Sequence, residues 1–262
     1  HRAKIVYSES GQVLLGQDRI HDPTVREKLL TKTLRSPLSE FDRRLRQNIR
    51  GLRQAGFGGI QPIVSFGDAQ ALPLEDDSVD LIVTSPPYAA NAIDYMRAHK
   101  FSLVWMGHPI SVLGDKRKEY IGGEATTGVD YEELPERAES VVEAIAKLDE
   151  RKGLVLHRYY SETARLLREM KRVLKPGKAA IVVVGDSTMR GKSTQTGHCV
   201  AEVGRSLGFE VPKIGFRDLD RNRRMMPTEF RPDSDSQIQR RIHDECVIGF
   251  YKPKSRCSEG GK

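Results

Sequence analysis

An apolar run that ends at two consecutive prolines constrains the fold of this chain more than any other feature. Residues 79–84 read Val-Asp-Leu-Ile-Val-Thr, a largely β-branched run of strand length. One serine separates this run from Pro86 and Pro87, and proline cannot continue a hydrogen-bond ladder because it has no backbone N–H. The sequence therefore predicts a strand over residues 79–84, followed at once by a rigid turn.

Other apolar runs alternate with segments of helical periodicity. Further strands are predicted at residues 62–66, 179–184, 209–214 and 245–251, with Pro212 favouring an edge position for one of them. Helices are predicted at residues 39–49 with Ser39 as the N-cap, and at 91–106, 131–150, 156–174 and 197–207, with a loop at 107–129. This alternation indicates an open α/β sheet, whose ligand crevice lies beyond the carboxyl ends of its strands.

Polar residues follow three of the predicted strands. Gly67, Asp68 and Ala69 come after the first strand, Ser85 comes after the second, and Gly185 and Asp186 come after the third. Because the carboxyl ends of parallel strands lie at one edge of a sheet, we expect these groups to converge on one site.

The composition narrows the class of protein and its partners. A net charge of +7 favours a polyanionic partner such as DNA, since Lys and Arg gain affinity by displacing counterions from phosphates. The three cysteines lack CxxC spacing, which argues for a reducing cytoplasm and against a zinc site, and no metal site is predicted. No apolar run approaches the roughly 18 residues of a membrane span, so no membrane contact and a cytoplasmic location are expected.

The run Thr84-Ser85-Pro86-Pro87-Tyr88, with the residues that lead into it from Gly67, resembles the signature region of SPPY-type DNA amino-methyltransferases. These enzymes methylate cytosine N4 or adenine N6 and carry the pattern Asp, Asn or Ser, then Pro-Pro, then Tyr, Phe or Trp. Residues 91–101, 173–177 and 185–186 extend the similarity across residues 67–186. The resemblance implies a Rossmann-like class I methyltransferase sheet with helices on both faces, and S-adenosyl-L-methionine as the cofactor.

The resemblance also implies roles for individual residues. Ser85 and the carbonyl of Pro86 would accept hydrogen bonds from the target amino group, and Pro87 would hold the turn rigid. Tyr88 would stack on a base flipped out of the duplex. The residues implied in cofactor binding are Asp68, Ala69, Thr84, Gly185 and Asp186.

The reaction class has alternatives. Cytosine C5 methylation requires a cysteine nucleophile, usually after proline, and Cys199, Cys246 and Cys257 do not follow prolines. Serine at the first position of the motif favours cytosine N4. Adenine N6 methylation, RNA guanine N2 methylation and a non-catalytic DNA-binding subunit of a split methyltransferase remain open.

The glycine-rich cofactor loop of such methyltransferases has no match in this sequence. Gly56-Phe57-Gly58-Gly59 follows a charged helix rather than a strand, so we interpret it as a turn. The sheet is therefore expected to be incomplete at its N-terminal strands, with a second polypeptide or a further segment supplying the loop. A rearranged strand order with a degenerate loop is the alternative. The predicted organisation is a helical segment at 1–60, a catalytic domain at 61–253 with an insertion around 107–155, and a flexible tail at 254–262.

A cluster of arginines lies between the last two predicted strands and is predicted to contact DNA phosphates and base edges. The cluster comprises Arg217, Arg221, Arg223, Arg224, Arg231, Arg240 and Arg241.

Overall fold

The computed structural model describes residues 5–7, 13–15, 36–55, 61–89, 95–115, 120–218 and 244–254. The chain divides into two compact units, residues 1–65 and 66–262. The predicted segment boundaries stay predictions, and residues 255–262 of the predicted tail lie outside the described residues. Within the described ranges, no helix is both long and apolar enough to cross a membrane.

The first unit contains a short antiparallel pair and one long helix. Strand β1, Ile5–Tyr7, pairs with β2, Val13–Leu15, and helix α1 covers Pro37–Ala55. The backbone N–H of Glu40 donates to the carbonyl of Ser36 at 3.1 Å, so the helix begins after Ser36 with proline in its first position. The predicted N-cap at Ser39 was therefore wrong, because proline fits the first turn, where its missing N–H has no partner to lose.

The second unit is built on a four-stranded mixed sheet in the order β3-β4-β8-β7. These strands are β3 at Val79–Thr84, β4 at Leu174–Gly185, β7 at Glu210–Asp218 and β8 at Asp244–Tyr251. Strands β3 and β4 are parallel, whereas β8 runs antiparallel to both β4 and β7. The register of β7 shifts around Pro212, and β7 is an edge strand as that proline predicts.

Helices and a short hairpin complete the described part of this unit. The α-helices are α2 at Tyr95–Trp105, α3 at Glu136–Ala146, α4 at Glu150–Val173 and α5 at Thr196–Ser206, and a 3-10 turn covers Ile110–Val112. The hairpin pairs β5, Thr188–Met189, with β6, Lys192–Ser193. Asp149 begins α4 by accepting a hydrogen bond from the Lys152 N–H at 3.1 Å. The predicted helix at 131–150 starts late because Pro135 stands at the N-cap in extended conformation.

The core lies on one face of the sheet. Ala180, Val182 and Val184 of β4 alternate with half-buried neighbours and pack with α4 and α5, together with Ile248 and Phe250 of β8. Helix α5 lies so close to β8 that a Cβ at Gly204 would stand 2.1 Å from Phe250 Cε1. This packing confirms the predicted α/β class and is consistent with the Rossmann-like sheet that the resemblance implies.

The face of the sheet opposite the core is only partly covered by the described residues. Leu81 and Val83 of β3 point away from the core and are exposed, since successive side chains of a strand alternate between faces. Ile181 and Val183 of β4 lie on that same face and are half-buried. In the described part of the chain, this face is therefore open at β3 and partly covered at β4.

The strand predicted at residues 62–66 was wrong. Residues 61–67 form no ladder with any described strand. Ile63, Val64 and Phe66 are exposed, with relative accessibilities of 95%, 94% and 103%. An apolar β-branched run becomes a strand only beside a pairing partner, and an apolar pattern carries no information about whether a partner strand is present.

The segment that links this run to β3 is fastened to the end of α4. Glu169 Oε2 accepts the N–H of Leu72 at 2.9 Å, and Arg172 donates to the carbonyls of Leu72 and Leu74 at 3.0 and 2.8 Å. Arg172 also pairs with Glu169 at 2.8 Å. Hydrogen bonds from the Arg172 side chain lower the pKa of Glu169 from its ordinary value of 4.5 to about 2.

We predict that Glu169→Gln destabilises the chain at neutral pH and removes part of its acid sensitivity. Because the folded pKa is depressed, the ionised Glu169 contributes stability above pH 4.5, and that contribution disappears as the pH falls towards 2. Urea unfolding at several pH values measures this: the stability difference between wild type and variant should shrink below pH 4.5. A constant difference down to pH 2 would contradict the assignment of this carboxylate as the acid-sensitive group.

Candidate active site

Parallel pairing of β3 and β4 places two of the predicted site segments at one edge of the sheet. Thr84, the last residue of β3, pairs with Val182, and β4 continues to Gly185. Ser85 and Asp186 directly follow these neighbouring strand ends. The expected convergence of these two segments is therefore confirmed, whereas Asp68 does not follow a strand.

The residues after β3, 85–89, form a short irregular segment that we call the proline loop. Ser85 is exposed, Pro86 is buried and Pro87 is half-buried. Tyr88 is 8% exposed and Ala89 is fully buried. The loop thus presents one hydroxyl to solvent while its second half enters the core.

Two hydrogen bonds from neighbouring elements hold the buried half of the proline loop. The Tyr88 hydroxyl donates to Glu245 Oε1 on β8 at 2.5 Å. Ser187 Oγ, just beyond β4, donates to the carbonyl of Ala89 at 3.1 Å. The predicted stacking of Tyr88 on a flipped base stays a prediction, and it requires a ring face that is buried in this structure to become accessible.

Glu245 is the site residue that the sequence did not reveal. It is only 7% exposed, and its second oxygen pairs with Arg217 of the adjacent strand β7. Its contact with Tyr88 spans 157 positions in sequence, so no local pattern could have identified it. Arg217, expected among the DNA contacts, is thus bound to a carboxylate of its own chain, while 63% of its side chain remains exposed.

Asp186 organises its own loop. Its Oδ1 accepts the N–H groups of Ser187 and Thr196 at 2.9 and 3.0 Å, and it lies 3.0 Å from Thr194 Oγ1. Its Oδ2 accepts from Ser193 Oγ at 2.8 Å. Both oxygens therefore close the connection between β4 and α5, and cofactor binding by Gly185 and Asp186 stays a prediction.

Asp68 and Ala69 lie in a tight turn rather than at a strand end. Asp68 is exposed, and its Oδ1 accepts the N–H of Gln70 at 2.9 Å, the geometry of an Asx-turn. Ala69 is half-buried against the core, and Arg165 of α4 holds Gln70 at 2.8 Å. The turn is fixed by α4, although the strand expected before it is absent from residues 61–67.

A loop at residues 120–126 lies behind Tyr88 and is pinned by a buried ion pair. Glu162 accepts from Arg158 Nε at 2.8 Å and from the N–H of Gly122 at 2.7 Å, and both charged residues are buried. Gly122 has a φ of +74°, and a Cβ built there would lie 3.2 Å from Tyr159 Cδ2 and 4.0 Å from the Tyr88 carbonyl oxygen. Glycine at this position thus allows the loop to approach both tyrosines.

Most of the arginines that were predicted to contact DNA cannot be placed at the site. Arg221, Arg223, Arg224, Arg240 and Arg241 lie outside the described residues. Among the described residues, no group of three or more His, Cys, Asp or Glu side chains could hold a metal ion.

We predict that Glu162→Gln destabilises the chain by about 3–5 kcal/mol, the usual cost of leaving a buried charge uncompensated. Glu132→Gln is the matched control, because Glu132 pairs with the largely exposed Arg168 at 2.6 Å and should cost about 1 kcal/mol or less. Denaturant unfolding of both variants measures the two values. Equal losses of unfolding free energy in the two variants would show that the buried pair does not fix the 120–126 loop.

Comparison with known proteins gives one curated relative and several solved structures. No protein-family model matches the chain. It is 24% identical over 225 residues to the type II methyltransferase M.MvaI of Kocuria varians, and the match covers 81% of this chain and 48% of that protein. The chain therefore spans about half the length of the curated relative that it matches.

Two solved structures are similar at lower identity. A proposed DNA modification methylase of Thermus thermophilus, complexed with S-adenosyl-L-methionine, is 19% identical, with a TM-score of 0.36 over 72% of this chain and 54% of that one. PvuII DNA methyltransferase, described as cytosine-N4-specific, is 16% identical, with a TM-score of 0.40 over 72% of this chain and 49% of that one. These TM-scores are low, and the superpositions add nothing to the fold described above.

Proposed function

We propose that this chain carries the catalytic part of an S-adenosyl-L-methionine-dependent methyltransferase that acts on an exocyclic amino group in DNA. The observation that carries the proposal is the proline loop: an exposed Ser85 followed by two prolines, at the end of a strand that is parallel to its neighbour. The similarity to a protein named a type II methyltransferase supports the same reaction class.

The chemistry explains why such a loop suits amino methylation. The lone pair of a cytosine or adenine amino group is delocalised into the ring, so the nitrogen is a weak nucleophile. The Ser85 side chain and the Pro86 carbonyl would accept its two hydrogens and favour the pyramidal form with a free lone pair. The prolines fix φ and remove donors, which keeps these acceptors in place before the substrate arrives.

The cofactor would supply an electrophilic methyl group, which the amino nitrogen takes as the bond to sulfur breaks, and the displaced proton leaves to water. This displacement requires mainly alignment of the two reactants. Asp68 fits a role in holding the cofactor, since its carboxylate is exposed and, within the described residues, only Oδ1 takes a hydrogen bond, from Gln70. The carboxylate of Asp186 fits less well, because both of its oxygens already accept hydrogen bonds from its own loop.

Cytosine N4 is the proposed target atom, on the ground that serine rather than aspartate or asparagine precedes the two prolines. Adenine N6 and RNA guanine N2 are the other outcomes of the test. Incubation with labelled cofactor and duplex DNA, followed by mass analysis of the nucleosides, distinguishes them. N4-methylcytosine supports the proposal, N6-methyladenine corrects the base, and labelled RNA without labelled DNA overturns it.

We predict that Ser85→Ala lowers methyl transfer by about 100-fold, in the range found when one preorganised hydrogen-bonding group is removed from a reacting centre. DNA affinity should stay within about twofold, because Ser85 would act on the amino group and not on phosphates. Ser206→Ala is the control, since that hydroxyl donates to the Val203 carbonyl at the end of α5, away from the proline loop. An equal loss of affinity and activity would contradict this role.

A second candidate function is that of a subunit that is active only within an assembly. The unpaired edge of the sheet at β3 favours it. Strand β3 is the last strand of its sheet in the described part of the chain, and Leu81, Val83 and Phe66 are exposed. Apolar surface at a sheet edge is normally paired or covered. We propose that a polypeptide segment carrying a strand, a glycine-rich turn and an acidic residue for the cofactor ribose occupies this edge.

We predict that residues 1–262 alone bind S-adenosyl-L-methionine weakly, because Asp68 and the proline loop would touch only part of the ligand. Isothermal titration of the isolated chain, with and without a candidate partner, measures this. Affinity should rise sharply when the partner is added. Tight stoichiometric binding by the chain alone would show that it already holds a complete cofactor site.

A further inference from the structure

We propose that Glu245 is a positioning residue that holds the proline loop in place through the Tyr88 hydroxyl, with Arg217 orienting Glu245 from the other side. The inference rests on the proposed function for its catalytic consequence, but the contact that carries it is a feature of the fold. Glu245 itself would touch neither DNA nor cofactor.

The burial of Glu245 is the first argument. Glu245 is 7% exposed, so its carboxylate loses most of its hydration, which is strongly unfavourable unless its oxygens find donors. Both oxygens have one: Oε1 accepts from the Tyr88 hydroxyl at 2.5 Å and Oε2 pairs with Arg217. The tyrosine hydroxyl is therefore one of the groups that make a buried carboxylate at this position tolerable.

The place of Glu245 in the sheet is the second argument. Because β8 runs antiparallel to β4, the beginning of β8 lies at the carboxyl end of β4, where Glu245 pairs with Gly185. In the same row, Arg217 of β7 pairs with Glu245. The carboxylate therefore stands on a strand with neighbours on both sides, and a group on such an element is held more precisely than a group on a loop.

The geometry of the proline loop gives the consequence. Tyr88 and Ala89 are its two anchored residues, the former by Glu245 and the latter by Ser187 Oγ at 3.1 Å. Between these anchors and the end of β3 stand only Ser85, Pro86 and Pro87, and the prolines restrict the backbone further. Releasing the Tyr88 anchor should therefore let the Ser85 hydroxyl and the Pro86 carbonyl drift from their positions.

The test combines a double-mutant cycle with hydrogen exchange on the whole chain. The variants are Tyr88→Phe, Glu245→Ala, Glu245→Gln and the double variant Tyr88→Phe/Glu245→Ala. Two controls are matched: Tyr131→Phe removes a hydroxyl that donates to the Thr126 carbonyl, and Glu132→Ala removes an arginine-paired carboxylate. Exchange is followed at the amides of Tyr88 and Ala89, and methyl transfer to duplex DNA gives kcat and KM.

The expected result is a rise of about 10- to 100-fold in exchange at these amides in Tyr88→Phe and in Glu245→Ala, the range for losing a hydrogen bond to a charged group. The double variant should show no further rise, Glu245→Gln should stay closer to wild type because its amide oxygen still accepts, and the controls should not change. Transfer should lose kcat by a similar factor, with KM for DNA changed by less than about twofold.

Two results would overturn the inference. Effects that multiply in the double variant would mean that Glu245 does not act through Tyr88. Faster exchange along β7 and β8 with an unchanged proline loop would mean that Glu245 only stabilises the sheet. If the wild-type chain transfers no methyl group under any condition while the exchange pattern appears as expected, the proposed function fails and the positioning role of Glu245 stands.

Discussion

The candidate site depends on the parallel pairing of β3 with β4. Parallel strands end at the same edge of a sheet, so this one pairing places Ser85 and the end of β4 at Gly185 along one edge although 100 positions separate them in sequence. The antiparallel strand β8 then contributes its beginning to the same edge, which is where Glu245 lies. A shift of one residue in the register of β3 would move Leu81 to the covered face and Ile82 to the open one, and would displace the proline loop with them.

Buried and half-buried carboxylates hold the loops around that edge. Glu245 binds the Tyr88 hydroxyl, Glu162 binds the N–H of Gly122, and Asp186 binds the N–H groups of Ser187 and Thr196. Each carboxylate offers two strong acceptors, so it can serve a loop donor and a second partner together. These acids are thus occupied by donors of their own chain. Under the proposed function, the groups of the proline loop that would meet a substrate are the Ser85 hydroxyl and the Pro86 carbonyl, which suit the orientation of a neutral amino group better than acid–base catalysis.

The elements that the sequence predicted correctly are those whose ends are marked by particular residues nearby. Strand 79–84 is bounded by prolines, and helix α4 ends at Val173 just before Lys175-Pro176-Gly177, so both ends were predictable from residue type. The run at 62–66 has an equally apolar pattern and yet forms no strand, because pairing depends on a neighbour that the pattern does not reveal. The residues of the candidate site show the same difference between local and long-range features. Ser85 to Tyr88 could be found from the motif, whereas Glu245 owes its role to a contact across 157 positions.

The groups that hold the proline loop and the exposed edge of β3 lie at different places in the sheet. Among the described groups that hold the loop, Ser187 follows β4 and Glu245 lies on β8, and Glu162 of α4 supports the loop behind Tyr88. None of them lies on the outer edge of β3, where Leu81 and Val83 are exposed. The described contacts that hold the loop are therefore made by groups away from the outer edge of β3. Whatever pairs with that edge can add a binding surface for the cofactor without having to build the groups that would orient the target base.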